Sequence, residues 1–203
     1  MLGISAQGLL QRYGSQLLFG GLGFSIAPGA ACVLTGPNGS GKSTLIKLLA
    51  GFETPTRGHI AYTDEVGKPF PAEQLPLQLG WYGPYMGSYR QLGLGEWLRL
   101  HFRLRACILP TADAVLAALD LTEHAHKPLA ALSSGMQQRA AVGAALFTAG
   151  RLLLLDEPTS NLDEARAAQM LALIQAYQGA RTLVLASNLP REMGICTQQV
   201  SLG

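Results

Sequence analysis

The stretch GPNGSGKST, residues 36–44, follows the apolar run ACVLT (31–35) directly and leads straight into TLIKLLAG (44–51). That order calls for a strand, a glycine loop and a helix in succession. Glycines let backbone N–H groups close around phosphate oxygens, and the following helix aims its positive end at them. Gly36, Gly41, Lys42 and Ser43 satisfy G-x-x-x-x-G-K-[ST], with Pro37, Asn38, Gly39 and Ser40 in the variable positions. Lys42 can neutralise the outer phosphates, the Ser43 hydroxyl can ligate Mg²⁺, and Thr44 adds a further phosphate contact. The loop is a nucleotide cradle by its chemistry.

A second stretch, RLLLLDEPTSNLD (151–163), runs four leucines into two acids. So short and dense an apolar run reads as a strand buried on both faces. A carboxylate ending such a strand is costly without a compensating charge. Mg²⁺ held by Ser43 and the phosphates would supply one to Asp156, leaving Glu157 to face the attacking water as general base or to orient it.

The remaining pattern alternates strands and helices. Strands are predicted at 22–27, 31–35 and 182–187, with a Pro28–Gly29 turn and Gly51 stopping the first helix. Short strands and loops are expected over 52–78, helices over 95–106, 111–120, beyond 132 and over 163–177, and a short tail after 187. Such alternation around the cradle implies an α/β fold with a mostly parallel, right-handed sheet. Strand-like material before 36 and helix-rich material between 85 and 130 read as two elaborations on it.

Composition narrows the class. The 203 residues suffice for one sizeable core. A 48% hydrophobic and 14% charged content suits a well-buried domain that keeps apolar surface for partners, and a net charge of +2 is too balanced for a nucleic-acid surface. No apolar run reaches the roughly 18–20 residues of a membrane span, and the N-terminus lacks a signal-peptide pattern. Cys32, Cys107 and Cys196 are odd in number and far apart, so neither a disulfide framework nor a zinc site is expected, and a reduced, cytosolic setting is the default. His124 and His126 have no third ligand at metal spacing and read as a solvated loop, while His59 and His101 are isolated. Arg99, Arg103 and Arg105 are placed on the polar face of a helix.

LSSGMQQRAAVGAAL (132–146) decides between kinds of cradle protein. Ser134 as N-cap with Gln137 three residues on predicts a capping box and a helix starting near Gly135. Its free N–H groups, with the Ser133 hydroxyl, make a second anion site. A phosphate site formed by one chain has no need of it; a site completed by a second copy does.

At these residues the chain resembles the nucleotide-binding subunit of ATP-binding-cassette (ABC) transporters. GPNGSGKST resembles the family's Walker A, LSSGM its LSGGQ signature (Ser133, Ser134, Gly135, Met136), LLLLDEP its Walker B with the catalytic glutamate, and SNLD its D-loop, ending at Asp163. The resemblance implies a P-loop NTPase with a RecA-like, mostly parallel sheet, an N-terminal antiparallel β subdomain and an inserted helical subdomain at about 85–135, within one ATP-binding domain spanning 1–203. It implies ATP and Mg²⁺ as ligands, Lys42 and Glu157 as catalytic groups, and two copies meeting head to tail around two ATPs. Tyr13 falls where the family places an aromatic that stacks on adenine.

Two departures qualify it. Pro84 stands where the family carries glutamine, with Gln78 and Gln91 out of register, and proline has no side-chain oxygen for Mg²⁺ or water. Asn188 stands where a histidine contacts the γ-phosphate; its amide can donate a neutral hydrogen bond but carries no charge. Ser134 and Met136 replace a glycine and a glutamine of the signature. The implied activity is transport-coupled ATP hydrolysis, slowed by these changes, beside separate transmembrane permease subunits on the cytoplasmic face of the inner membrane and with no nucleic-acid partner. A permease contact is expected over 81–107, where Trp81, Tyr85, Tyr89, Trp97 and Phe102 are offered, some of them to the interface and some to the interior. Chain length and the SSGM-QQR form are similar to the haem-exporter (cytochrome c maturation) group. The rivals are a nucleotide-dependent clamp with little turnover and a non-transport ABC ATPase, whose usual coiled-coil insertion or second cassette is missing here.

Overall fold

The computed structural model describes residues 1–83, 89–105, 111–179 and 181–202. Among them, β1 (Gly3–Tyr13), β2 (Gln16–Ile26), β4 (Arg57–Thr63) and β5 (Pro69–Phe70) form an antiparallel sheet in the order β2-β1-β4-β5. A second, parallel sheet has the order β6-β7-β8-β3-β9, from β3 (Ala31–Thr35), β6 (Leu79–Tyr82), β7 (Leu152–Asp156), β8 (Thr182–Ala186) and β9 (Gln198–Ser201).

The four leucines of 152–155 are buried because the parallel sheet is covered on both faces. Leu152 and Leu154 join Leu45, Ile46 and Leu49 of α1 (Lys42–Leu49), together with inward residues of the antiparallel sheet. Leu153 and Leu155 join Val142 and Leu146 of α4 (Ser134–Phe147) and Ile174 of α5 (Glu164–Gln178). Burying each such side chain is worth about 1.5–3 kcal/mol. Two cores on one sheet therefore fix the position of the acids at its end.

Gly51 stops α1 as expected, at φ 73° just beyond the Ala50 C-cap. Arg181 closes two helices at once: its guanidinium donates to the Leu146 and Thr148 carbonyls at the end of α4 and to the Gln178 and Tyr177 carbonyls at the end of α5. A buried cation is compensated there by the negative ends of two helices.

Several expectations need correction. The first hairpin is longer than the strand predicted at 22–27: β1 and β2 pair from Ile4↔Ile26 to Tyr13↔Gln16, with register shifts at Ala6/Leu9 and Leu9/Gln11. The expected tail contains β9, which pairs in parallel with β3. Between β6 and α4 lie α2 (Leu94–Leu104) and α3 (Ala112–Ala118), close to the predicted helices. Trp97 and Phe102 do not offer an exposed contact surface; they are 8% and 4% exposed, on one stripe of α2 with Leu94 and Leu98. Trp81 is half-buried, edge-on to Phe52, and Tyr89 is exposed. Tyr85, with Pro84, lies outside the described residues. Arg99 and Arg103 are exposed as predicted, whereas Arg105 reaches back to the Pro76 and Leu79 carbonyls at 2.8 and 2.9 Å. Among the described residues no helix is long and apolar enough to cross a membrane.

Candidate nucleotide site

The glycine loop lies between the end of β3 and the start of α1, at the carboxyl edge of the parallel sheet. Two of its glycines are required by contact as well as by conformation. A Cβ on Gly36 (φ 146°) would sit 2.3 Å from the Leu202 carbonyl oxygen, so the segment following β9 backs the loop. A Cβ on Gly41 (φ 98°) would press on the Phe19 ring at 2.9 Å. Both positions exclude an ordinary side chain.

Lys42 is 6% exposed. Its Nζ donates to the Gly36 and Pro37 carbonyls at 2.7 and 3.2 Å, so the ammonium is folded back over the start of the loop. The Ser40 hydroxyl is buried and has no hydrogen-bond partner among the described residues, the condition expected of a cradle built around a hydrogen-bonding ligand. Beside it a cleft of about 490 Å³ is lined by Tyr13, Leu18, Asn38, Lys42, Ser43 and Glu157, within the usual size range for small-molecule sites.

Asp156 ends β7 and is 6% exposed. Burial holds its carboxyl above the ordinary range; a hydrogen bond with Ser43 offsets part of that rise, and the neighbouring Glu157 charge adds to it. The Ser43 hydroxyl and the Asp156 carboxylate thus present hard oxygens at one place, where a divalent cation would relieve the cost of the buried charge. Mg²⁺ fits this donor set.

Glu157 is exposed and takes φ 49°, a left-handed conformation rare outside glycine. The strain, of order 1–3 kcal/mol, is held by backbone bonds on both sides: its N–H donates to the Ala186 carbonyl at 2.9 Å and its carbonyl accepts from the Gln138 amide at 3.0 Å. Its side chain then lines the cleft.

Tyr13 ends β1 at the cleft rim, 49% exposed, and its hydroxyl donates to the Glu53 carboxylate, which Lys47 approaches at 3.5 Å. Asn188, just beyond β8, is bonded to Gly36 through both ends of its amide. Cys32 and Cys196 are pushed up to about 11 and about 12 by burial, so their thiols stay protonated at neutral pH; Cys107 lies outside the described residues.

The predicted capping box is displaced by one residue. Ser133, not Ser134, caps α4, its Oγ accepting from the Met136 N–H at 3.3 Å, while the Gln137 side chain donates to the Leu132 carbonyl. Ser133 and Ser134 are exposed, and Gly135 and Met136 half-buried. Gly135 packs on the Asn161–Leu162 segment, where a Cβ would come within 3.3 Å of the Asn161 carbonyl. Asp163 caps α5, accepting from the Arg166 N–H at 2.9 Å. Gln138, which the sequence reading passed over, is 4% exposed and joins α4 to the turn after Glu157. Its only signal was a polar residue beginning the buried face of that helix.

Residues 19–160 match the ABC transporter family. The aliphatic sulfonates import ATP-binding protein SsuB of Granulibacter bethesdensis is 36% identical over 187 residues, covering 90% of this chain and 71% of that protein. The cytochrome c biogenesis ATP-binding export protein CcmA of Rhizobium etli is 34% identical over 190 residues, covering 91% and 86%. A dimeric structure of the ATP-binding cassette MJ0796, in a post-hydrolysis state bound to ADP and Pi, superposes with a TM-score of 0.83 over 98% of this chain and 94% of that one. Identity there is 20%, so the likeness concerns the fold, that of a P-loop NTPase. The chain belongs to the ABC transporter family, as one of its nucleotide-binding subunits.

Proposed function

We propose that this chain binds MgATP, closes as a dimer with a second copy and hydrolyses the nucleotide, driving conformational change in separate transmembrane permease subunits. The observation that carries the reading is the convergence of Lys42, Ser43 and Glu157 on one cleft, with the buried Asp156 ending β7 beside Glu157.

In this reading Lys42 leaves the Gly36 and Pro37 carbonyls for the outer phosphates, and Gly39, Ser40, Gly41 and Thr44 surround the phosphate chain with Asn38. Tyr13 stacks on the base. Ser43 and Asp156 hold Mg²⁺, which supplies charge neutralisation at the phosphates. Glu157 accepts a proton from the attacking water, or orients that water, an effect commonly worth about 10²–10⁴-fold. The N-terminus of α4, with Ser133, Ser134, Gly135 and Met136, faces the nucleotide of the other copy, and Asp163 lies on the segment between the two sites. The whole of 1–203 acts as one ATP-binding domain, with 85–135 as its helical subdomain, peripheral on the cytoplasmic face of the inner membrane.

The cargo is chosen by the permease. Both an importer's and an exporter's ATP-binding protein are among the relatives; the signature form and the greater coverage of CcmA favour the haem-exporter group. A clamp with little turnover is the second reading, supported by Pro84 and Asn188. Steady-state ATP turnover of the wild type beside Glu157→Gln tests the first. A fall of at least a hundredfold in the variant is expected, with ATP-dependent dimers accumulating; equal rates would remove the catalytic role of Glu157.

A further inference from the structure

The turn that carries Glu157 is gripped from two sides. From one side, Gln138 donates through Nε2 to the Glu157 carbonyl at 3.0 Å and to the Ser160 hydroxyl at 3.4 Å, and accepts through Oε1 from the Asn161 N–H at 3.0 Å. From the other side, the fully buried Glu192 of α6 (Pro190–Met193) accepts from the Thr159 N–H at 2.8 Å, and Arg191 donates to the Thr159 carbonyl at 2.9 Å. The backbone of 157–161 is therefore fixed at alternate residues.

The two grips differ in what they connect. Glu192 and Arg191 join the turn to a short helix beyond β8. Gln138 joins it to α4, one turn in from the exposed Ser133 cap. A primary amide is well suited to this place, because it must donate toward the Glu157 carbonyl and accept from the Asn161 N–H at once. A carboxylate there would turn an acceptor toward the carbonyl, and an apolar side chain would take the Gln138 acceptor from the Asn161 N–H and leave the Glu157 carbonyl only its longer bonds from the Ser160 N–H and hydroxyl, at 3.3 and 3.2 Å.

We infer that Gln138 is a positioning residue for hydrolysis, holding Glu157 in its left-handed conformation and tying that conformation to the start of α4. The inference rests on the reading of Glu157 as the group that handles the attacking water. Engagement of the α4 start by another molecule's nucleotide then reaches this chain's own Glu157 through one side chain, which couples the two composite sites of a dimer.

A four-protein cycle tests it with the full chain: wild type, Gln138→Met, Glu157→Gln and the double variant, each measured for ATP turnover and nucleotide affinity. Gln138→Met is expected to lower kcat about 10–100-fold, with KM and nucleotide affinity changed less than about twofold. In the Glu157→Gln background the same substitution should cost nothing further, because the group it positions is already gone. Should Gln138→Met fold poorly, Gln138→Glu, which keeps the length and the acceptor for Asn161, replaces it and is expected to behave alike. Equal falls in both backgrounds, a change confined to KM, or an unaltered kcat beside a slowed Glu157→Gln overturns the inference alone. A wild-type rate for Glu157→Gln itself overturns the assignment of Glu157 and the inference with it.

Discussion

Asn188 closes on Gly36: its Nδ2 donates to the Gly36 carbonyl at 2.8 Å while its Oδ1 accepts from the Gly36 N–H at 3.2 Å. Lys42 Nζ shares the same carbonyl at 2.7 Å. One amide thus ties the chain beyond β8 to the first residue of the glycine loop, using one of its two N–H donors and one of its two acceptor lone pairs on backbone.

An imidazole at 188 cannot reproduce that two-point grip in one tautomer, but when protonated it can carry charge to a phosphate. Charge-assisted hydrogen bonds are roughly twice as strong as neutral ones. Asn188→His is expected to raise ATP turnover about tenfold, corresponding to about 1.4 kcal/mol in the barrier. It should also introduce a pH dependence near the ordinary histidine range that the wild type lacks. A flat profile with unaltered turnover would show that position 188 does not limit the reaction.

Asp156 is ionised at a cost in the nucleotide-free protein, because burial raises its pKa above the unfolded value. A carboxyl with a raised folded pKa disfavours folding at neutral pH, and stability recovers as pH falls through that raised value toward the unfolded one. Asp156→Asn keeps an oxygen for the Ser43 hydroxyl and removes the charge. Its nucleotide-free melting temperature should rise by about 2–4 °C per kcal/mol relieved, while added MgATP should stabilise it far less than the wild type. Thermal unfolding with and without MgATP gives both numbers; a variant melting below wild type without nucleotide contradicts the charge argument.

The sequence was most legible where one physical demand selects residue types strongly. Leu152–Leu155 could only be a strand covered on both faces, and two separate cores do cover it. GPNGSGKST needed its glycines, and Gly36 and Gly41 have no room for a Cβ. β1 was obscured because its alternation is broken by register shifts near Gly8 (φ 58°), and because its buried Gln11 bonds across to Thr56. Ser133 and Ser134 carry the same hydroxyl, so the cap could be assigned only from the backbone. The burial of Trp97 and Phe102 was in principle readable, since Leu94, Trp97, Leu98 and Phe102 follow helical spacing. Gln138 was not, because its function lies in partners 19 to 23 residues away.

His101 provides a stability probe remote from the nucleotide cleft. It lies on α2 with Nε2 3.0 Å from the Thr148 hydroxyl, which in turn donates to the Ala144 carbonyl of α4 at 2.6 Å. Burial, reinforced by the Arg105 charge, lowers its pKa from 6.5 to about 4. Above about pH 6.5 the ring is neutral in both folded and unfolded chains, and its contribution is fully present. As pH falls toward 4 the unfolded chain takes up a proton that the folded one refuses, so stability is lost progressively across that window. The difference in pKa corresponds to on the order of 3 kcal/mol. Urea unfolding at pH 7.5 and pH 5 should show a steeper loss for the wild type than for His101→Gln, whose amide can still reach toward Thr148 and does not titrate. Because Asp156 acts with the opposite sign over part of this range, the difference between the two proteins, rather than either slope alone, isolates His101. Parallel pH profiles would mean that the ring is already solvated in the folded chain, and that α2 is not anchored to the end of α4 through this histidine.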